Sequence, residues 1–371
     1  MNLRPILFAS VLTGCSPEIK AMPDSGLADA PSASDARSDT RAACDALALP
    51  TISVAKADPN GYPPYAIDGC QLAYVSSNGN LILRELGSGA EEVIASAIEQ
   101  PRRPCLKDGV IAWEGTNTEG KSQVHVRDAS RLILRVSGAF DHAGEPRLSA
   151  GALVFTAWKG DGDLSDSSIN VFDLATETLL ELDANGQQRF ADVSATHVLY
   201  TDFGEDPDGT FNNNETDVAD IAIYDRVART TTTRKLTGKQ AFARVADTSA
   251  MIYLSWKLIH PEPKLAAYEL MTGPISANVT ADREVALVTQ NAASGYILPS
   301  AQNGLVEWVG GDGLADSATR LWRTRLDVIA PVSVDGLDAL SLGAPAAHPQ
   351  FTLLSVRPNG ALSPELRLLT K

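Results

Sequence analysis

The sequence predicts an all-β protein, a β-propeller of four-stranded antiparallel blades. Three observations predict this fold class. Short strand candidates with alternating apolar and polar residues recur along the chain, separated by Gly, Asp and Ser. Two of these strands carry motifs that return every 39 to 55 residues, the length of one blade. The chain of 371 residues has room for a closed array of about 300 residues.

The clearest repeat covers residues 145–183 and contains four strand candidates, at 145–149, 153–158, 169–174 and 178–182. Its second strand carries an apolar triplet, which in most repeats ends in an aromatic residue. Seven copies of this triplet stand at 72–74, 111–113, 153–155, 198–200, 251–253, 306–308 and 352–354. Seven triplets predict seven blades.

The third strand of five repeats ends near an acidic residue, in motifs such as INVFDL and IAIYDR. These acids are Glu85, Asp128, Asp173, Asp225 and Glu269. A carboxylate beside a tight turn can accept hydrogen bonds from the turn's backbone N–H groups. Because the acid recurs in successive repeats, we interpret it as a turn residue rather than a catalytic one.

The last repeat has only three strand candidates, so its blade lacks a fourth strand. Residues 51–55, ahead of the first repeat, have β-branched strand character. We therefore expect seven blades, with this N-terminal strand completing the last blade and closing the ring, which removes an exposed sheet edge. Six complete blades with a C-terminal accessory hairpin are the alternative.

The formal net charge of −15 argues against a nucleic-acid partner, because such proteins present surplus Lys and Arg to the phosphates. Beyond the first 15 residues, no apolar run reaches the 18 residues that a membrane-spanning helix needs. The sequence thus predicts contact with a membrane through an attached lipid only.

The N-terminus has a positive flank at Arg4 and an apolar core from Pro5 to Leu12, as in a secretory signal. The residues that follow, Leu12-Thr13-Gly14-Cys15, resemble the lipobox of bacterial lipoproteins. The resemblance implies a signal peptide at 1–14, acyl chains such as palmitate on Cys15, and an outer-membrane location in the cell envelope. Residues 15–43, rich in Ala, Ser, Asp and Pro, read as a disordered tether, and 44–371 as the propeller.

The repeat pattern is similar to the WD40-like propeller repeats of TolB and its relatives. The likeness rests on Pro146-Arg147-Leu148-Ser149-Ala150-Gly151 and Val171-Phe172-Asp173-Leu174. It implies a scaffold that binds other envelope proteins or a surface ligand, and we expect a monomer. TolB's separate N-terminal domain has no counterpart here, which weakens transfer of TolB's own role.

Three cysteines remain once Cys15 is assigned to lipid: Cys44, Cys70 and Cys105. In an oxidising envelope two should pair, and three pairings are possible. A Cys44–Cys70 disulfide would staple the closure of the ring, because Cys44 precedes the closing strand and Cys70 lies in the first blade.

Acidic connections between the second and third strands suggest a possible Ca²⁺ site, since carboxylates are hard oxygen ligands. The best fragment is Asp161-x-Asp163 with Asp166. No connection matches the EF-hand spacing, and solvated acidic loops are commoner than metal sites. Apart from this possible Ca²⁺, we predict no cofactor.

No catalytic motif is present: there is no GxSxG elbow and no HExxH. The sequence therefore favours a non-enzymatic binding scaffold and assigns no catalytic residue. The alternative is a hydrolase or lyase acting on envelope or extracellular carbohydrate. Such an enzyme should gather two carboxylates within about 5–10 Å in a concave site.

Overall fold

The computed structural model describes residues 51–56, 62–128, 133–136, 140–149, 151–160, 164, 166–182, 186–206, 218–236, 238–261, 264–289, 298–310, 319–337, 340–358 and 363–370. They lie within a compact unit, Thr40–Lys371. One short 3-10 turn, Ala97–Glu99, is the helical element of these ranges. Among the described residues, no helical segment has the length and hydropathy needed to span a bilayer.

The strands form seven antiparallel sheets, the blades of a propeller. Blade 1 consists of β2 (Tyr65–Asp68), β3 (Gln71–Val75), β4 (Leu81–Glu85) and β5 (Glu91–Ala95). Blade 2 consists of β6 (Arg102–Lys107), β7 (Val110–Thr116), β8 (Ser122–Arg127) and β9 (Ile133–Arg135). Blade 3 consists of β10 (His142–Ser149), β11 (Ala152–Trp158), β12 (Ser168–Asp173) and β13 (Thr178–Leu182). Blade 4 consists of β14 (Gln188–Val193), β15 (His197–Asp202), β16 (Asp220–Asp225) and β17 (Thr230–Arg234). Blade 5 consists of β18 (Gln240–Val245), β19 (Ala250–Pro261), β20 (Lys264–Pro274) and β21 (Arg283–Thr289). Blade 6 consists of β22 (Ser300–Gln302), β23 (Leu305–Gly310), β24 (Arg320–Arg325) and β25 (Val332–Ser333).

Blade 7 joins the two ends of the propeller. Its inner position is split between β26 (Leu340–Leu342) and β27 (Ala346–Ala347), which both pair with β28 (Phe351–Pro358), and β28 pairs with β29 (Glu365–Thr370). The fourth strand is β1 (Ile52–Ser53), with Ile52 opposite Leu366. The predicted closure of a seventh blade by the N-terminal strand is confirmed, and the six-blade alternative is wrong.

The apolar triplets form much of the buried core. All seven lie on the second strand of a blade, and none of their residues is more than 4% exposed. This strand has a neighbour on each side within its own sheet and packs both faces against adjacent blades, so triplet side chains are buried on both faces. The aromatic at the third position, such as Trp113 or Trp308, contributes the largest buried apolar surface.

The first strands of blades 2 to 5 each contain a β-bulge, where the register shifts. At each bulge one residue adopts a positive φ: Arg103 (52°), Glu145 (58°), Phe190 (58°) and Phe242 (57°). Left-handed backbone is unfavourable for these residue types and persists only where the surroundings compensate it. First strands of successive blades contact one another, so the four bulges gather at the centre of the ring.

Side chains from the preceding blade satisfy three of these bulges. Glu114 Oε2 accepts the N–H of Glu145 (3.2 Å), and Glu145 Oε2 accepts the N–H of Phe190 (3.3 Å). In the same way Thr201 Oγ1 accepts the N–H of Phe242 (3.3 Å). The repeated link explains why polar side chains are buried here, since an unpaired N–H in the interior costs about as much as a lost hydrogen bond.

The turn role predicted for the acids is confirmed at two positions. Asp173 Oδ1 accepts the N–H groups of Ala175 (3.0 Å) and Thr176 (2.9 Å), and Asp225 makes the equivalent contacts in blade 4. Hydrogen bonds from the backbone lower the pKa of both carboxyl groups. At Glu269 the prediction is wrong, because this residue pairs with Ser255 in mid-strand.

Blade 5 departs from the repeat because β19 and β20 are 12 and 11 residues long. They pair as far as Pro261 and Lys264, which extends the hairpin beyond the ends of the neighbouring blades. Strands alternate in direction, so all connections between second and third strands leave on one face of the ring. We call this face the loop face; it carries the blade 5 hairpin, and the strands that flank the acidic connections of blades 3, 4 and 6 end or begin on it.

Candidate functional site

A set of charged side chains surrounds Tyr62 where the inner strands of blades 2 to 5 meet. The central cluster, as we call it, consists of Tyr62, Arg102, Arg103, Glu114, Glu145, Arg147, Arg189, Asp192 and Arg244. The guanidinium carbons of Arg103 and Arg147 lie 4.8 Å and 5.2 Å from the centroid of the Tyr62 ring. Five arginines and three carboxylates give the cluster a positive surplus in an otherwise acidic protein.

The two glutamates of the cluster are buried and held by arginine. Glu114 accepts hydrogen bonds from Arg102 (2.5 Å) and Arg103 (2.9 Å), while Glu145 accepts one from Arg189 (2.5 Å). Arg103 also lies 3.8 Å from Glu145, so one guanidinium bridges both carboxylates. The glutamate side chains are 1% and 3% exposed, and paired burial of this kind is how a folded protein tolerates internal charge.

Glu145 illustrates the electrostatics of this arrangement. Burial alone raises the pKa of its carboxyl group, but Arg189, Arg103 and the hydrogen bonds from Arg189 and the Phe190 N–H outweigh burial and lower the pKa to about 2. Glu145 is therefore ionised throughout the physiological range. It cannot supply the proton that a general acid must deliver.

Two arginines of the cluster lack an ion-pair partner among the described residues. Arg244 is 5% exposed and its Nη1 donates to the Phe190 carbonyl (3.2 Å), whereas its Nη2 has no hydrogen-bond partner. The buried Nε of Arg147 also has none. Asp192, whose charge acts on Arg244, accepts the N–H of Val245 (2.8 Å). Burial and the neighbouring Arg147 lower the pKa of Arg244.

Tyr62 is the remaining ionisable member. Burial, followed by the charge of Glu145, raises the pKa of its hydroxyl group to about 12, against the opposing effect of the surrounding arginines. Tyr62 therefore stays protonated and neutral at physiological pH. Its ring belongs to the same hydrophobic cluster as Phe190 and Phe242, and its face contacts the guanidinium groups of Arg103 and Arg147.

A concavity of about 460 Å³ lies on blade 6 beside Val328, Ala330 and Val332. Two arginines line it, but Arg323 donates to Glu307 (3.0 Å) and Arg325 to Asp327 (3.1 Å). Both charges are compensated within the protein. The concavity thus presents mainly apolar surface, in contrast with the central cluster.

The structure places the residues predicted for other sites as follows. Cys15, Cys44, Asp161 and Asp163 lie outside the described residues, and Asp166 is exposed. Cys70 is disulfide-bonded and Cys105 is free and buried, while the predicted Cys44–Cys70 pairing stays a prediction. Among the described residues, no group of three or more His, Cys, Asp or Glu side chains could hold a metal ion.

Sequence reasoning missed the central cluster. Glu145 and Arg147 were interpreted only as parts of a strand and of a repeat motif. A partial signal is that Arg147, Asp192 and Arg244 are charged residues at the same place in three successive first strands, directly after the bulge. Only ring closure shows that these strands face one another.

No protein-family model matches the chain, and no curated protein is significantly similar to it. Among solved structures, oligogalacturonate lyase from Vibrio parahaemolyticus superposes with a TM-score of 0.55 at 11% identity, covering 87% of this chain and 92% of that one. The β-propeller domain of the Trilobed protease from Pyrococcus furiosus, described as having an open velcro topology, gives 0.50 at 11% identity, over 73% and 83%. TolB from Acinetobacter baumannii gives 0.39 at 11% identity, over 83% and 78%. At these identities the first two likenesses support the propeller fold alone, and that to TolB is too weak to carry an argument.

Proposed function

We propose that the protein is a lipid-anchored, non-enzymatic scaffold of the cell envelope that binds a partner protein through its loop face. The observation that carries the proposal is the blade 5 hairpin, whose strands β19 and β20 rise above neighbouring blades on the face that carries the acidic connections. Variable loops on a rigid propeller are the usual place for binding function. The acidic residues of this face favour a partner with a basic surface.

The charges at the centre of the ring support a scaffold over an acid–base enzyme. Glu114 and Glu145 are close together, as the carbohydrate-enzyme alternative requires, but arginine holds both and neither is exposed. A glycosidase of the two-carboxylate type needs one carboxyl group with a raised pKa. The pKa of Glu145 is instead lowered to about 2.

The test captures partners from envelope extract on the immobilised full-length protein. We expect one retained protein whose binding weakens with rising salt and is lost when Asp161, Asp163 and Asp166 are replaced by Asn. As the matched control, Glu177→Gln with Asp327→Asn removes acids from the opposite face and should leave capture unchanged. Retention that is insensitive to the loop-face substitutions would contradict the proposal.

The anchor is tested separately. Acylation of Cys15 would hold the protein on the outer membrane, with residues 15–43 as the tether. Cys15→Ser should move the protein from the membrane fraction to the soluble fraction. If the variant stays on the membrane, another attachment holds it there.

The Ca²⁺ site at Asp161, Asp163 and Asp166 also remains a proposal. Occupancy by Ca²⁺ would raise the melting temperature by mass action, and replacing Asp161 and Asp163 with Asn should abolish the increase. Equal melting temperatures with and without calcium would remove this site from consideration.

The second candidate function is an enzyme acting on an acidic carbohydrate, by analogy with the oligogalacturonate lyases of similar fold. The positive surplus of the central cluster favours it, because an acidic sugar needs cationic partners. Incubation with oligogalacturonate, followed by absorbance of unsaturated product ends, tests it. No product at high enzyme concentration would leave the scaffold as the better account.

A further inference from the structure

We propose that the centre of the ring binds a carboxylate-bearing ligand between Arg147 and Arg244, above the ring of Tyr62. This site is built from strand residues at the centre of the ring and not from the connecting loops, so its existence does not depend on the scaffold function. It follows from the unequal way in which the arginines of the central cluster are compensated.

The first step is the geometry. Arg147 lies on β10 of blade 3 and Arg244 on β18 of blade 5, at equivalent positions directly after each bulge. Both interact with Tyr62, Arg147 with its guanidinium carbon 5.2 Å from the ring centroid and Arg244 through its charge, which acts to lower the pKa of the Tyr62 hydroxyl group. Two guanidinium groups from different blades thus converge on one neutral aromatic ring.

Both arginines have a buried N–H group without a hydrogen-bond acceptor. Arg244 is 5% exposed, yet its Nη2 lacks a partner, and so does the buried Nε of Arg147. A buried N–H of a charged group without an acceptor is costly, because it has lost its water and gained nothing. An oxyanion that accepts from both groups would satisfy them.

The third step is charge. Arg102, Arg103 and Arg189 are used by Glu114 and Glu145. Arg147 and Arg244 have no ion pair among the described residues, and with Asp192, whose charge acts on Arg244, they have a local surplus of one positive charge within a cluster whose total surplus is two. A single carboxylate balances the local surplus, and it meets less repulsion from Asp192 and Glu145 than a phosphate or sulfate dianion would. The planar fork of arginine also matches a carboxylate in a bidentate manner.

Access comes from the partly exposed members of the cluster. The side chain of Arg102 is 45% exposed and that of Arg103 is 12% exposed, and Arg147 is half-buried. A ligand arriving from solvent therefore reaches Arg147 before Arg244. A small molecule fits this approach better than a macromolecular surface.

The test is calorimetric titration of the full-length protein with D-galacturonate, with D-galactose as the uncharged analogue and sulfate as the dianion. We expect binding of galacturonate alone, with a melting temperature raised by at least about 2 °C at saturation. Arg147→Gln should weaken binding by about tenfold or more, since hydrogen bonds to charged groups are the strong ones. Arg325→Gln, on the exposed surface of blade 6, is the matched control and should bind as wild type does.

The melting temperature without ligand separates binding from structure. The side chain of Arg147 forms no hydrogen bond with the described residues, so Arg147→Gln should melt no lower than wild type. Arg147→Lys keeps the charge but not the fork, and should bind with intermediate affinity. Equal binding of galactose or sulfate, absent binding of galacturonate, or unchanged affinity in Arg147→Gln would overturn the proposal.

Discussion

Two sites with buried arginine in this molecule differ in how fully acidic side chains balance the positive charge. Between blades 4 and 5, Arg234 is fully buried: Nη1 donates to the carbonyls of Pro274 (2.9 Å) and Ser276 (2.7 Å), and Nη2 to Asp282. The second oxygen of Asp282 accepts the Tyr253 hydroxyl (2.7 Å). One positive charge meets one negative charge there, whereas the central cluster holds five arginines and three carboxylates.

The difference separates two uses of the same chemistry. The Arg234–Asp282 pair is balanced within the protein, so its role is to join two blades. The central cluster has two more positive than negative charges, so it reaches the same balance only with negative charge from outside.

Arg234→Met should lower the free energy of unfolding by about 3–5 kcal/mol, because Asp282 would stay buried without its counter-charge. Denaturant unfolding measures this change. Lys235→Gln is the matched control, since the neighbouring side chain is 60% exposed and its pair with Glu205 is open to solvent. The control should unfold as wild type does. A loss below about 1 kcal/mol in Arg234→Met would show that the pair is not structural.

Glu145 should make stability depend on acid. Its pKa falls from the ordinary value of 4.5 to about 2 on folding, so its contribution is fully present above pH 4.5 and disappears as the pH drops towards 2. The contribution amounts to about 3 kcal/mol. Unfolding curves between pH 6 and pH 2 should show this loss in wild type, and Glu145→Gln should lose less across the same window. Parallel curves would mean that arginine does not hold the carboxylate.

Gly144→Ala should cost about 1–3 kcal/mol, because a Cβ at this position would lie 2.5 Å from Glu114 Oε2. The glycine is what allows the Glu114 carboxylate to approach the next blade. Gly87→Ala is the control, as its Cβ would meet nothing within 4 Å. Equal stability of the two variants would show that Glu114 can move away without loss.

The repeat was readable from the sequence because its signal is local. Triplets such as Leu153-Val154-Phe155 recur in every repeat, and Asp173 indicates the turn that begins two residues later. In blade 5 the prediction of a turn at Glu269 was wrong. The strands of this blade are longer, so the repeat motif that contains Glu269 lies in the middle of a strand although its sequence resembles the other copies. Local patterns thus identify strands but do not fix where each strand ends.

The central cluster was not readable for a different reason. Arg103, Glu145, Arg189 and Arg244 come from four blades and meet only after the ring has closed. Each charge taken alone resembles an ordinary solvated residue on a strand. Its burial depends on bulges that rotate the side chains, and bulges of this kind leave no mark in the residue types.

The closing strand also decides how the molecule carries a load. β1 has two ladder partners on β29, while Val54 donates to the Pro364 carbonyl and forms a bridge with Ser76 of blade 1. Tension applied upstream of residue 51 would therefore first meet a short segment held on both sides by blades 7 and 1. Ile52 and Val54 are buried, at 6% and 0% exposure, and anchor this segment. A force that pulled them out would separate β1 from β29 and open the ring at blade 7.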